Sequence, residues 1–129
     1  MSYQVFVYGT LLNGESNHHI AVPHLLKSEP GTIHGCLYNV GRYPAVVLND
    51  KNKITGEWFT ITEEGLRQFD TLEGHEPGST NNHYDRVWIA DANNDQEGYV
   101  YTFTEEQAAA LEEIPSGNWI NFRRKKHLR

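Results

Sequence analysis

The sequence predicts an α+β fold in which a small, mostly antiparallel β-barrel carries a few short helices. About six short runs of strand-forming residues are separated by polar turns at the spacing typical of hairpins. Only one segment in the middle of the chain and one near its end carry helix signals. Because strands and regular helices do not alternate along the chain, a doubly wound parallel sheet is not expected.

Length and composition are those of a single-domain globular protein. The 129 residues are 38% hydrophobic and 12% aromatic, which is enough for a packed core. We assign residues 1–122 to one domain and residues 123–129 to a basic C-terminal tail. The formal net charge of −6 argues against a nucleic-acid partner. A single cysteine, Cys36, and the lack of any apolar run of ~18 residues lead us to expect a soluble, cytoplasmic protein without a membrane partner.

Basic residues crowd the last seven positions. Five of the 11 lysines and arginines lie there, so residues 1–122 carry 6 basic against 17 acidic side chains. The cluster predicts either a contact with a polyanion or membrane surface, or a solvated, frayed terminus. Its members are Arg123, Arg124, Lys125, Lys126 and Arg129.

A short apolar run at the start of the chain ends at Tyr8 and is followed at once by Gly9, a pattern typical of a buried strand that stops at a tight turn. Gly9 can adopt backbone angles closed to other residues, so the N–H groups that follow can converge on an anion or a developing oxyanion. The alternative is an ordinary strand-to-loop turn. We expect Asn17 and His18 to hydrogen-bond this loop. His18, His19 and His24 lack a recognised metal-ligand spacing, so we predict no metal site.

The middle of the chain predicts a turn, three strands and a helix. Thr60 with Glu63 forms a capping-box pattern, and Thr62 is a rival cap. The helix presents Leu66, Phe69 and Leu72 on one face and ends at Gly74. Before it we predict a turn at Pro30-Gly31 and strands over Ile33–Val40, Ala45–Leu48 and Ile54–Ile61.

Glu73 is predicted in the last turn of that helix, beside its apolar face. The helix dipole and partial burial both disfavour a charged carboxyl there, so the pKa rises toward neutrality. A glutamate with such a pKa can accept and return a proton. The alternatives are that Glu73 is one of 17 solvated acids, or that Glu76 in the following loop has this role.

The last third of the chain begins with a loop over residues 74–83, which predicts a rim or lid. Strands over residues 84–89 and 98–103 follow, and Thr104 opens a capping box with Gln107 for a helix that continues through Ala108 to Ile114. We expect Trp119, Ile120 and Phe122 to hold the C-terminal segment against the body of the domain.

Several of these motifs together resemble the γ-glutamylcyclotransferase-like family, which includes γ-glutamylamine cyclotransferases and AIG2-like and YtfP-like proteins. The first motif is Tyr8-Gly9-Thr10-Leu11 with Gly14 and Asn17-His18. The others occur in family order over residues 3 to 103, and they are Gly41-Arg42-Tyr43-Pro44, Phe69-Asp70-Thr71-Leu72-Glu73-Gly74, Tyr84-Asp85-Arg86 and Gly98-Tyr99-Val100-Tyr101.

The resemblance implies an enzyme that cyclises a γ-glutamyl amine or γ-glutamyl amino acid to 5-oxoproline without a cofactor. It implies Glu73 as the general acid/base and the backbone of Tyr8, Gly9, Thr10 and Leu11 as the substrate-binding turn. Tyr43 and Tyr84, with Tyr8, would shape the pocket, whereas Arg86 belongs either to the site or to a structural ion pair. The alternatives are a module that binds a carboxylate or γ-glutamyl ligand unchanged, and a protein-interaction domain.

Overall fold

The computed structural model describes residues 1–127, which form eight strands, four short helices and one 3₁₀ turn. Arg129, a member of the basic cluster, lies outside the described residues. The elements in chain order are β1 (Ser2–Val7), α1 (His18–Ala21), the 3₁₀ turn (Val22–His24), β2 (Leu25–His34), β3 (Cys36–Asn39), β4 (Pro44–Val47), β5 (Lys53–Thr62), α2 (Glu63–Glu73), β6 (Asp85–Ala90), β7 (Glu97–Thr102), α3 (Glu105–Ala108), β8 (Glu112–Ile114) and α4 (Trp119–His127).

The first strand lies at the centre of a five-stranded sheet with the order β2-β5-β1-β7-β6. The pair β1–β7 is parallel and the other pairs are antiparallel. Alternate residues of a strand point to opposite faces of a sheet. Val5 and Val7 accordingly belong to one hydrophobic cluster, and Phe6 and Tyr8 belong to the other. The strand is therefore buried on both faces, as its unbroken apolar run predicts.

The remaining three strands form a separate sheet with the order β4-β3-β8. The α+β class and the mostly antiparallel pairing are confirmed, but the predicted barrel is wrong, because the described strands form two open sheets. The chain leaves the large sheet at Gly35, where a Cβ atom would lie 2.8 Å from the carbonyl oxygen of Val47. Glycine fits at this close approach, and the strand that follows, β3, pairs with β4 and β8.

The turn predicted at Pro30-Gly31 is also wrong, because both residues lie inside β2. Proline lacks an N–H group and is tolerated in a strand at the edge of a sheet, which is where β2 lies. Gly31 is needed because a Cβ atom would overlap the indole of Trp58. The predicted strand over 33–40 is consequently divided between β2 and β3.

Helix α2 begins at the rival cap. The backbone N–H of Gly65 donates to the Thr62 hydroxyl at 3.1 Å, whereas Thr60 is paired within β5. The end predicted at Gly74 is confirmed, since Gly74 adopts φ 66° and caps the helix with its N–H. Of the predicted apolar face, Leu66 and Phe69 are buried and Leu72 is 36% exposed.

The helix predicted to run through Ala108 to Ile114 is shorter than expected. The capping box of Thr104 and Gln107 is confirmed, but α3 ends at Ala108. Glu112–Ile114 instead form β8 and pair with β3, which places Ile114 in the core at 1% exposure. Tertiary pairing has overridden local helix propensity here.

The C-terminal segment is held by Trp119, which is 3% exposed in the core, as expected. Residues 123–127 continue helix α4. Arg123 donates two hydrogen bonds to the Glu15 carboxylate, so the basic cluster does not begin as a frayed end. None of the helices in residues 1–127 combines the length and apolar character needed to cross a membrane.

Candidate active site

The loop that follows β1, residues 8–17, is called the opening loop. The Leu12 N–H donates to the Gly9 carbonyl at 3.1 Å, and the Asn17 N–H donates to the Thr10 carbonyl at 2.8 Å. Within residues 1–127, no group accepts a hydrogen bond from the backbone N–H of Gly9, Thr10 or Leu11. Successive unpaired amides of this kind can bind an anion.

Gly9 is required because it packs closely on Pro44, and not because of the special backbone angles that its position in the sequence suggested. It does not adopt a positive φ angle, so the expectation of special backbone angles is wrong. A Cβ atom at this position would instead lie 2.7 Å from both Cγ and Cδ of Pro44. The loop therefore packs directly on the proline that begins β4, and only glycine leaves room for that contact.

Asn17 and His18 hold the opening loop in shape, as predicted. The Asn17 amide donates to the Thr10 hydroxyl at 2.9 Å, and His18 Nδ1 lies 2.8 Å from the Leu11 carbonyl oxygen. The side chains of Leu11 and Leu12 are buried. These contacts within the protein hold the backbone N–H groups of Gly9, Thr10 and Leu11 in place.

Glu73 is the last residue of α2 and lies where two chain segments meet. The Tyr84 N–H donates to the Glu73 carbonyl at 3.3 Å, and the His83 N–H donates to the Gly74 carbonyl at 3.1 Å. The loop over 74–83 thus starts and ends beside Glu73. Glu76 is exposed on that loop, and its N–H donates to the Asn82 side chain at 2.8 Å.

Burial raises the pKa of the Glu73 carboxyl from 4.5 to about 7. The direction is the one predicted, and desolvation is its cause. In the described part of the chain no side chain or backbone group donates a hydrogen bond to this carboxylate. A carboxyl that is partly buried, unpartnered among the described residues and half-ionised near neutral pH can transfer protons.

Three buried tyrosines, Tyr8, Tyr84 and Tyr101, lie near Glu73. Burial is the main cause that raises the pKa of each phenol well above its usual range, and the negative charge of Glu73 raises all three further. The phenols therefore remain protonated.

The hydroxyl protons of these tyrosines are directed away from Glu73. Two of them go to backbone carbonyls and one to a buried carboxylate. The bonds, each 2.6 Å long, run from Tyr8 to the carbonyl of Tyr101, from Tyr84 to the carbonyl of Pro44 and from Tyr101 to Asp70 Oδ1. The Glu73 carboxylate is left available to a ligand.

One pocket of about 190 Å³ brings together all seven residues named from the sequence. This is smaller than the roughly 300–1,000 Å³ of sites for drug-sized ligands, so a small metabolite suits it better. Their individual roles remain predictions. The seven are Tyr8, Gly9, Thr10, Leu11, Tyr43, Glu73 and Tyr84.

The pocket wall also contains seven residues that were not assigned to the site from the sequence. His83 is the most polar of these at the exposed rim, where its Nε2 lies 3.1 Å from the Tyr43 hydroxyl. Its position directly before the Tyr84-Asp85-Arg86 motif was the feature of the sequence that could have identified it as a site residue. The seven are Phe6, Val7, Asn17, Pro44, Leu72, His83 and Tyr101.

Arg86 belongs to a structural ion pair and does not line the pocket. Its Nη1 donates to Asp70 Oδ2 at 2.6 Å, and the two side chains are only 16% and 11% exposed. The guanidinium carbon also lies 4.5 Å from the centre of the Tyr99 ring. Asp70, which the sequence did not single out, accepts from both Arg86 and Tyr101 and so supports the tyrosine behind the pocket.

Comparison with known proteins identifies this arrangement. The model of the gamma-glutamyl cyclotransferase, AIG2-like family (GGACT) matches residues 5–121. The chain belongs to this family. The resemblance seen in the sequence is therefore confirmed.

Relatives within the family differ in how much of their length the chain covers. A gamma-L-glutamyl-butirosin B gamma-glutamyl cyclotransferase from Niallia circulans is 40% identical over 85 residues, which are 64% of this chain and 54% of that relative. The chain thus matches about half the length of that enzyme. The γ-glutamylcyclotransferase family protein ytfP from Citrobacter rodentium is 29% identical over 118 residues, 92% of this chain and 96% of the relative.

The fold is the one found in a solved structure of the same family. The crystal structure of an AIG2-like protein from Mus musculus matches with a TM-score of 0.71 and 24% identity, over 92% of this chain and 94% of that chain. This likeness shows that the chain has the α+β fold of that structure.

Proposed function

We propose that the protein converts a γ-glutamyl amine or γ-glutamyl amino acid to 5-oxoproline and releases the amine. One observation carries the proposal. A partly buried carboxylate at Glu73, unpartnered within residues 1–127, lines the same pocket as the free N–H groups of Gly9, Thr10 and Leu11. The name of the Niallia circulans relative, a cyclotransferase acting on γ-glutamyl butirosin, supports a γ-glutamyl substrate.

The nucleophile in this reaction is part of the substrate. The α-amino nitrogen attacks the γ-carbonyl carbon, and the new C–N bond closes a five-membered ring. Because the attacking group is tethered, correct alignment of the substrate supplies much of the rate. Neither a water molecule nor a cofactor enters the balanced reaction.

Glu73 would transfer the proton from the α-ammonium group to the leaving nitrogen. Its ionised carboxylate accepts a proton from the α-ammonium group, which frees the nitrogen lone pair for attack. When the tetrahedral intermediate collapses, the carboxyl returns that proton to the leaving nitrogen as the original C–N bond breaks. The ring nitrogen gives up its second proton, which the released amine takes up to leave as an ammonium ion. A pKa of about 7 suits both steps, because an acid/base works best when its pKa lies near the working pH.

The opening loop would bind negative charge. The N–H groups of Gly9, Thr10 and Leu11 can donate to the substrate carboxylate or to the oxyanion of the tetrahedral intermediate. Tyr8 and Tyr84 would shape the pocket around the glutamyl group, and Tyr43 would lie at the rim. Among residues 1–127, Glu73 is the single acidic side chain in the pocket wall, and no lysine or arginine of that range lines it.

The test is release of 5-oxoproline from a panel of γ-glutamyl amines, γ-glutamyl dipeptides and glutathione. Wild type and Glu76→Gln should form product, whereas Glu73→Gln should lose at least about a hundredfold in kcat, the lower range for loss of a general base. The same panel should be tested for binding. A γ-glutamyl ligand that binds and is recovered unchanged would favour the binding module over the enzyme.

A further inference from the structure

We propose that Arg123 and Glu15 form a positioning pair through which the C-terminal helix holds the opening loop in its anion-binding shape. Its consequence for catalysis rests on the proposed function, whereas its consequence for the loop does not. Neither residue lines the pocket, so both would act through the backbone of the opening loop.

The ion pair is bidentate and joins two segments that are far apart in the sequence. Arg123 donates from Nε to Glu15 Oε1 at 2.9 Å and from Nη2 to Oε2 at 2.6 Å, across 108 residues of sequence. The Glu15 side chain is only 6% exposed and that of Arg123 is 44% exposed. Two parallel charge-assisted hydrogen bonds fix the relative orientation of two groups as well as their distance.

The helix side of the pair is rigidly supported. Trp119 is 3% exposed in the core, and its ring stacks on Phe122 with centroids 5.9 Å apart. Positions 119, 122 and 123 lie on one face of α4, because residues three and four apart are neighbours on a helix. The Asn118 side chain accepts the Asn121 N–H at 3.0 Å at the start of the helix. Arg123 therefore projects from an anchored element.

The loop side of the pair is connected to the N–H groups by backbone hydrogen bonds. The Glu15 N–H donates to the Leu12 carbonyl at 3.0 Å, and the His18 N–H donates to the Glu15 carbonyl at 3.2 Å. The Leu12 N–H in turn donates to the Gly9 carbonyl at 3.1 Å. A displacement of Glu15 is therefore transmitted toward Gly9, Thr10 and Leu11.

Loss of the arginine would leave the almost fully buried Glu15 carboxylate without its partner. An unpaired buried charge is strongly unfavourable. Water reaches the carboxylate most directly if the loop opens. The pair thus favours the closed loop, in which the N–H groups are organised before a ligand arrives, and such preorganisation reduces the free energy lost on binding.

Hydrogen exchange in the full chain tests the proposal without a substrate. In Arg123→Gln the amides of Leu12 and Asn17, both bonded within the loop, should exchange roughly tenfold faster, equivalent to about 1.4 kcal/mol in the local opening equilibrium. The exchange rates of the backbone amides in α2 should be unchanged. Arg123→Lys should restore part of the protection. Lys27→Gln, which breaks the exposed Lys27–Glu29 pair, is the matched control and should change nothing in the loop.

Kinetics provide the second readout. If the N–H groups hold the substrate carboxylate, Arg123→Gln should raise KM several-fold and leave kcat within about twofold. If they hold the oxyanion, kcat should fall several-fold instead. Faster exchange confined to the loop in a protein whose wild type forms no 5-oxoproline would support the positioning pair and count against the proposed function. Unchanged loop exchange, or a uniform increase over the whole chain, would overturn the positioning pair even in an active enzyme.

Discussion

Glu73→Gln should make the protein less active and more stable at the same time. Glutamine keeps the size and shape of the side chain but cannot ionise. Wild type must keep a carboxylate in a buried pocket without a hydrogen-bond partner, which is why its pKa is raised from 4.5 to about 7. Removal of the charge removes that cost.

The size of the effect follows from the shift in pKa. One pKa unit corresponds to about 1.36 kcal/mol, so a rise from 4.5 to about 7 is worth about 3 kcal/mol. The folded protein binds the proton more tightly than the unfolded chain does. The free energy of unfolding of wild type therefore falls as the pH rises from about 4.5 to about 7, and it is level outside that window as far as Glu73 is concerned.

The assay is urea unfolding of wild type and Glu73→Gln at pH 5 and pH 8. The stability of the variant relative to wild type should increase by about 2.5 kcal/mol between these two values, because most of the titration window lies between them. Glu76→Gln is the matched control, since that residue is three positions away and exposed. It should not reproduce the gain in stability of Glu73→Gln at pH 8.

Activity should change in the opposite direction. We expect kcat of Glu73→Gln to fall by about a hundredfold to ten-thousandfold, the range for loss of a general acid/base. In wild type, kcat/KM should rise with pH through a pKa of about 7, and this limb should be absent from the residual activity of the variant. A stability difference that does not vary with pH, or full turnover in the variant, would falsify the role assigned to Glu73.

The other predictions concern the support of the site. Gly9→Ala should lower the free energy of unfolding by about 1–3 kcal/mol and raise KM, because its Cβ would lie 2.7 Å from Pro44 ring carbons. Asp70→Asn should lower stability by about 3–5 kcal/mol in urea unfolding, because it leaves the buried Arg86 guanidinium without its charged partner. Gly74→Ala should lower it by about 1 kcal/mol, because φ 66° is strained for alanine.

Asp70→Asn and Gly74→Ala each have a control in the same chain. Glu64→Gln removes one partner of the exposed Arg67, whose side chain is 62% exposed, and should lower stability much less than Asp70→Asn does. Gly78→Ala, a positive-φ position with nothing within 4 Å of the added Cβ, separates backbone strain from steric overlap. If Asp70→Asn were no more costly than Glu64→Gln, the buried ion pair would not be supporting the site.

Local patterns were sufficient where one feature determines the conformation of a segment. The apolar run before Tyr8 marked a strand buried on both faces, and Gly74 marked the end of α2 because a left-handed cap excludes most other residues. Local patterns misled where distant partners decided the outcome. Pro30 and Gly31 predicted a turn, yet both lie in the edge strand β2, where Gly31 packs against Trp58.

The sequence by itself determined the α+β class, the family and the seven residues that meet in the pocket, because these depend on short motifs and their order along the chain. Only the tertiary structure decided that the sheets stay open and that burial alone raises the pKa of Glu73. It also decided that Arg86 serves Asp70 and that Arg123 reaches Glu15. Desolvation and long-range ion pairs depend on which distant segments pack together, and no local pattern records that.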